Sequence, residues 1–125
     1  MALERFSKDH EYVRLDGDIA TIGITNHAQG QLGDIVFVEV PEVGRQVKAG
    51  EPAAVVESVK AASDVFSPVT GEVIETNASP VESPALVNED AEGAAWLFKV
   101  RLSSRAELDG LMDRAAYEKF VEETA

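Results

Sequence analysis

Between residues 11 and 100 the chain repeats one pattern: a short apolar or β-branched run, then a turn built from Gly, Pro or Asp. Such runs are too short for most globular helices, and several of them alternate apolar and polar side chains. A chain punctuated this way can bury its apolar surface only by pairing many short strands into sheets that face each other. Glu11–Leu15 and Ile19–Ile24 flank Asp16-Gly17-Asp18, a hairpin signal because glycine accepts the positive φ of a tight turn. Asp34–Val40 alternates, with Ile35, Phe37 and Glu39 expected on one face and Val36, Val38 and Val40 on the other, and Pro41 and Gly44 close it. Ala53–Val59 and Ser63–Phe66 follow, bracketed by the glycine-containing stretches 43–51 and 67–75. The two halves suggest a weak duplication folded about residues 58–62. Trp96–Leu102 is the last strand expected.

Helical signals are local and fewer. Thr25 is placed to cap Asn26–Leu32, which Gly33 ends. Residues 77–95 carry two prolines and many small or acidic residues, and read as a long loop with one helical turn at Pro84–Val87. Ser104-Arg105-Ala106-Glu107 fits a capping box before Leu108 and Leu111. Asp113 can cap Arg114–Glu123, where Tyr117, Phe120 and Val121 share a face. No flexible linker precedes this helical end. Residues 1–125 are therefore expected to form one α+β domain, mainly β, with a short helix in the N-terminal half and helices at the C-terminus, around a flattened barrel or sandwich.

Composition narrows the function classes. The net charge is −12, and so acidic a surface repels nucleic-acid phosphates and anionic membranes. It fits solubility and brief docking onto basic surfaces. There is no cysteine, which excludes disulfides and thiolate-ligated metal. The apolar runs fall far short of a membrane span, and residues 1–10 lack the features of a signal or transit peptide. A soluble protein of the bacterial cytoplasm is expected, with a mature organellar form as the alternative.

No catalytic constellation stands out. The two histidines, His10 and His27, could form an acid–base pair, although surface or capping roles account for them more simply. Neither sits in a metal-ligand pattern, and Gly30-Gln31-Leu32-Gly33 is a helix end rather than a phosphate loop. One segment is unusual: Val55-Val56-Glu57-Ser58-Val59-Lys60-Ala61-Ala62-Ser63-Asp64. An apolar strand runs into a lysine with small neighbours and out into another strand. That lysine is reachable by an acylating enzyme, yet spacing alone favours an ordinary exposed lysine in a turn.

The wider pattern resembles a family. Glu57-Ser58-Val59-Lys60-Ala61, Ser63-Asp64 and Ser67-Pro68-Val69-Thr70-Gly71-Glu72-Val73 are similar to the lipoylation site of glycine cleavage H-proteins. His10-Glu11, Gly23-Ile24-Thr25, Ala28-Gln29, Leu32 to Val38, Pro41-Glu42-Val43-Gly44, Leu86-Val87-Asn88-Glu89 and Glu107-Leu108 … Tyr117-Glu118 match in order and spacing, so the resemblance covers roughly residues 5–121.

The resemblance implies a lipoyl-domain-like barrel-sandwich hybrid with lipoate attached to Lys60. It implies a monomeric carrier without catalytic or metal-binding residues of its own. Its partners would be glycine decarboxylase, aminomethyltransferase, dihydrolipoyl dehydrogenase and the lipoate attachment enzymes, with no nucleic acid and no membrane. Asp9, Glu11 and Asp64 fall where polar cleft residues would sit, and a carboxylate such as Glu11 suits a cationic aminomethyl amine. A close alternative is an H-like relay that donates lipoate to other enzymes. A biotin carrier resembles Ala-Met-Lys-Met around its lysine, whereas this chain has Val59-Lys60-Ala61. Two departures from the family pattern are visible. Ala91-Glu92-Gly93-Ala94-Ala95-Trp96 replaces a Pro-Tyr-Gly-x-Gly-Trp run, and Tyr12 replaces the usual Trp after His-Glu.

Overall fold

Strand pairing organises the chain, and the computed structural model describes residues 3–124 of it. The strands are β1 (Leu3–Phe6), β2 (Glu11–Asp16), β3 (Ile19–Ile24), β4 (Ile35–Glu39), β5 (Gln46–Val47), β6 (Pro52–Ser58), β7 (Ala62–Phe66), β8 (Gly71–Thr76) and β9 (Phe98–Leu102). They form a six-stranded sheet in the order β1-β2-β3-β9-β8-β5 and a three-stranded sheet in the order β4-β6-β7. Every pairing is antiparallel. Val13, Ile22, Val73 and Val100 from the large sheet join Val38, Val56 and Val65 from the small one in a single buried cluster. The alternation of each strand supplies that cluster from one face.

The local signals in the first half fold as written. Asp16 pairs with Ile19 across a two-residue turn in which Gly17 has φ 64°. Helix α1 (Asn26–Leu32) is capped by Thr25, whose side chain accepts the Ala28 N–H, and Gly33 ends it at φ 85°. At the far end, Asp113 accepts the Ala116 N–H at 2.8 Å and starts helix α4 (Arg114–Thr124). Tyr117 of α4 stacks on Phe6 of β1, with ring centroids 4.6 Å apart, in a second apolar cluster that includes Tyr12.

Four expectations need correction. The alternation of Asp34–Val40 fails because β4 carries a bulge between Ile35 and Phe37. The extra residue resets the faces, so Ile35 and Val38 are both buried while Val36 and Phe37 are exposed. Residues 77–95 hold two short helices rather than one turn: α2 (Ser79–Glu82), begun around Pro80, and α3 (Ala85–Asp90). Residues 105–110 form a 3-10 helix, and Ser104 makes no side-chain cap to it. Finally, β1 was not foreseen. Its charged residues hide the strand, which exists through its register on β2 (Arg5 opposite Val13, Phe6 opposite Tyr12). Among the described residues no helix is long and apolar enough to cross a membrane.

Candidate functional site at the Lys60 hairpin

Strands β6 and β7 meet at Val59-Lys60-Ala61, so Lys60 lies at a hairpin tip, and its side chain is exposed. Ser58 shapes that tip. Its hydroxyl accepts the backbone N–H of Lys60 at 3.1 Å and of Ala61 at 3.2 Å, and its own N–H donates to the Ala61 carbonyl at 2.8 Å. This is a serine turn that gives the backbone partners a bare loop would leave to water. The tip is also tied to the body, because the Val59 N–H donates to the Asp34 carbonyl at 3.0 Å.

The ground beneath the tip is the end of α1. A Cβ placed on Gly33 would stand 3.4 Å from the Lys60 Cε, so the lysine stem crosses the helix end where a side chain is missing. Asn88 of α3 holds this ground. Its Oδ1 accepts the Ile35 N–H, and its amide donates to the Gly33 carbonyl and to Gln29 Oε1, each at 2.9 Å. The backbone of Lys60 is thus fixed on both sides while its amine projects free. Among the described residues Lys60 takes part in no ion pair.

The three carboxylates named from sequence occupy different environments. Asp9 and Asp64 are exposed, whereas Glu11 is only 2% exposed. Ser7 Oγ donates to Glu11 Oε1 at 2.6 Å, and the Phe66 N–H donates to Glu11 Oε2 at 3.2 Å. Burial is the main force raising its pKa to about 7; the negative charge of Asp9 pushes the same way, and the two hydrogen bonds oppose the shift. Glu11 therefore links the turn after β1 to the end of β7, two residues beyond Asp64. His10 and His27 do come together, with ring centroids 4.7 Å apart, but His10 Nδ1 shares a hydrogen bond with the Tyr117 hydroxyl at 2.8 Å. Burial and the neighbouring His27 lower the His10 pKa. Among the described residues no three His, Cys, Asp or Glu side chains group as metal ligands.

A family model described as glycine cleavage H-protein matches residues 4–124. The chain belongs to the glycine cleavage H-protein family. A glycine cleavage system H protein from Phenylobacterium zucineum is 68% identical over 117 residues, covering 94% of this chain and 97% of the relative. That of Xanthobacter autotrophicus is 54% identical over 125 residues, with both chains covered fully. A crystal structure of a glycine cleavage system H protein from Mycobacterium marinum superposes with a TM-score of 0.85 at 36% identity, covering 93% of this chain and 94% of that one. The paired sheets are thus the lipoyl-domain-like barrel-sandwich of the H-protein family.

Sequence reasoning did not name Ser7, and it quoted Ser58 and Asn88 only within family-like segments, with no role for either. Ser7 holds Glu11, Ser58 folds the hairpin tip, and Asn88 fixes the ground under it. Ser58 could have been found, since a serine two residues before a turn lysine can accept that lysine's N–H. The clamping role of Asn88 carried no local signal, because its partners lie 53, 55 and 59 residues away. The two departures from the family pattern touch each other. The Tyr12 hydroxyl donates to the carbonyl of Ala91 at 3.3 Å, so the changed aromatic and the changed loop form one contact.

Proposed function

We propose that this chain is the lipoyl carrier of the glycine cleavage system, with lipoate in amide linkage to Lys60 Nζ, and that it carries the aminomethyl group of glycine from glycine decarboxylase to aminomethyltransferase. The observation that supports this most is the held tip. In a member of this family, an exposed lysine stands on a hairpin tip whose three backbone N–H groups, of Val59, Lys60 and Ala61, are all hydrogen-bonded, and its stem crosses a glycine. The surroundings fit an acyl arm: Ala61 and Ala62 are small, and among the described residues no ion pair occupies the amine.

When bound, the lipoyl dithiolane supplies a disulfide that opens to take up a one-carbon amine and closes again on oxidation by dihydrolipoyl dehydrogenase. The chain's own residues supply position. Ser58 and Asp34 hold the tip, and Asn88 holds Gly33 beneath the stem. Tethering on a mobile arm raises the local concentration of cargo at each docked enzyme. Asp9 and Asp64 are proposed to offer exposed carboxylates to the cationic end of the cargo, with Glu11 behind them as the buried member. We read residues 1–125 as one carrier domain that performs no catalysis unaided and works as a monomer in the bacterial cytoplasm.

The test is intact mass and peptide mapping of protein co-expressed with a lipoate ligase. One lipoyl group on the Lys60 peptide is expected. Lipoyl on Lys8, Lys48, Lys99 or Lys119 with Lys60 bare would refute the assignment.

A further inference from the structure

We propose that Tyr117 of the C-terminal helix is a positioning residue for the carboxylates that receive the cargo amine: its buried hydroxyl fastens the turn carrying Asp9 and Glu11 to the start of α1. The proposal rests on the reading of Asp9, Glu11 and Asp64 as the cargo's polar contacts, and it names what holds two of them in place.

The turn between β1 and β2 needs a hold from outside. Ser7 and Glu11 close it, with the Ser7 N–H on the Glu11 carbonyl at 2.9 Å and the Glu11 N–H on Ser7 Oγ at 3.1 Å. Between them His10 has φ 67°, and among the described residues it is the one residue other than glycine with a positive φ. L side chains adopt that left-handed backbone rarely, so it persists where the surroundings fix it. His10 sits between exposed Asp9 and buried Glu11, so its conformation sets the way each carboxylate leaves the turn. The Thr25 N–H donates to the His10 carbonyl at 2.9 Å, and the imidazole is held from α4.

That hold is one hydroxyl with two partners. Tyr117 Oη stands 2.8 Å from His10 Nδ1 and 2.7 Å from Thr25 Oγ1. Among the described residues no other α4 side chain hydrogen-bonds to the turn or to α1. The ring is itself fixed, stacked on Phe6 and meeting the His10 ring edge-on at 5.7 Å. Burial raises the pKa of the phenol, so at neutral pH it keeps its proton. It has one proton to give and lone pairs to accept with, and the chain closes in two directions. In one, Tyr117 donates to a bare His10 Nδ1 and Thr25 donates to Tyr117. In the other, a protonated Nδ1 donates to Tyr117 and Tyr117 donates to Thr25. Both leave Thr25 Oγ1 a lone pair for the Ala28 N–H that it caps.

Thr25 leads on to the lysine. It caps α1, and α1 ends at Gly33, over which the Lys60 stem passes. One hydroxyl thus sets the spacing between the turn that carries two carboxylates and the helix that floors the lysine arm. A cationic group on that arm meets the carboxylates only while the spacing is kept, because hydrogen bonds weaken steeply with misalignment.

The test uses the full chain in two states. In the unmodified protein, Tyr117→Phe should speed hydrogen exchange at the Thr25 N–H about fivefold, the scale of one hydrogen bond. The Val73 N–H should keep its protection. In lipoylated protein loaded by glycine decarboxylase and then separated from it, Tyr117→Phe should speed the loss of ammonia by a similar factor. Thr25→Val should do the same and Thr25→Ser should restore the wild-type rate, a pair that decides the matter even if Tyr117→Phe fails to fold. Val121→Ala trims the packing of α4 but leaves the hydroxyl, and should change the rate less than about twofold. Wild-type ammonia loss in Tyr117→Phe and Thr25→Val, with faster loss in Glu11→Ala, would overturn the proposal. Equal acceleration in Val121→Ala would overturn it too, by assigning the effect to helix packing. Wild-type ammonia loss in both Glu11→Ala and Asp9→Asn would instead refute the carboxylate reading beneath it.

Discussion

Glu11 at the start of β2 accepts the backbone N–H of Phe66 at the end of β7, 3.2 Å away, so a buried carboxyl group joins the six-stranded sheet to the three-stranded one. The strand carrying the lysine hairpin is thereby held at both ends: at the tip through Val59 and Asp34, and at the base through Glu11.

That burial makes Glu11 a source of pH-dependent stability. Its pKa is raised from 4.5 to about 7 in the fold. The folded state therefore binds a proton more tightly than the unfolded chain. The stabilisation is fully present below about pH 4.5, falls as pH rises toward 7, and is absent above it. Glu11→Gln keeps an acceptor for Phe66 and stays neutral. It should unfold at nearly the same denaturant concentration as wild type near pH 5 and gain on it by up to about 3 kcal/mol by pH 8. Urea titrations of both proteins across that range check the difference, and a gap that does not widen with pH would show that Glu11 is not charged at cost.

Elements governed by neighbours in sequence were legible, and those governed by distant partners were not. Thr25 and Gly33 bound α1 because a cap and a positive φ involve only the next few residues. Asp113 caps α4 for the same reason. The β4 bulge depends on how many residues of β6 stand opposite, which no pattern within 34–40 contains. At the candidate site, Lys60 is singled out by the family resemblance of the residues around it, whereas the Asn88 clamp arises from tertiary packing of α3 against the end of α1. Glu11 was noticed as a carboxylate near a strand start, but its burial follows from Ser7 and Phe66 closing over it.

Asn88→Ala should loosen the lysine platform selectively. The substitution leaves the Ile35 N–H and the Gly33 carbonyl without their partner, at a cost of about 2 kcal/mol. Hydrogen exchange should speed up at Ile35 and Val59, while the Val73 N–H, bonded to the Arg45 carbonyl, keeps its protection. Uniformly faster exchange would mean global destabilisation instead.

Lys60→Arg should separate fold from function. The side chain is exposed, so stability should change by less than about 0.5 kcal/mol. The guanidinium cannot take the ligase's acyl group as a lysine amide, so no lipoyl mass should appear, and glycine cleavage reconstituted with the variant should fail. A large drop in melting temperature would show that the lysine stem over Gly33 is structural.

Glu107 offers a choice between two roles that the same four residues can suggest. Ser104 to Glu107 spells a capping box, in which the glutamate would turn back to its own helix start. In the fold Glu107 reaches outward instead. Its carboxylate accepts both the backbone N–H and the hydroxyl of Thr70, each at 2.6 Å, and the Thr70 Oγ1 in turn accepts the Ala49 N–H at 3.0 Å. These are charge-assisted bonds, shorter and stronger than neutral ones. They tie the 3-10 helix at 105–110 to the loop before β8 and to the turn before β6. Glu107→Ala should therefore cost about 2 kcal/mol and Thr70→Val, which keeps its N–H bond to Glu107 but leaves the Ala49 N–H without its acceptor, should also destabilise, and the double variant should cost less than the sum because both lose the hydroxyl–carboxylate bond. Ser104→Ala should cost almost nothing, since its hydroxyl caps no N–H in the 3-10 helix. Urea unfolding of the four proteins measures all these terms. A large loss from Ser104→Ala, or additive losses from Glu107→Ala and Thr70→Val, would return Glu107 to the capping box.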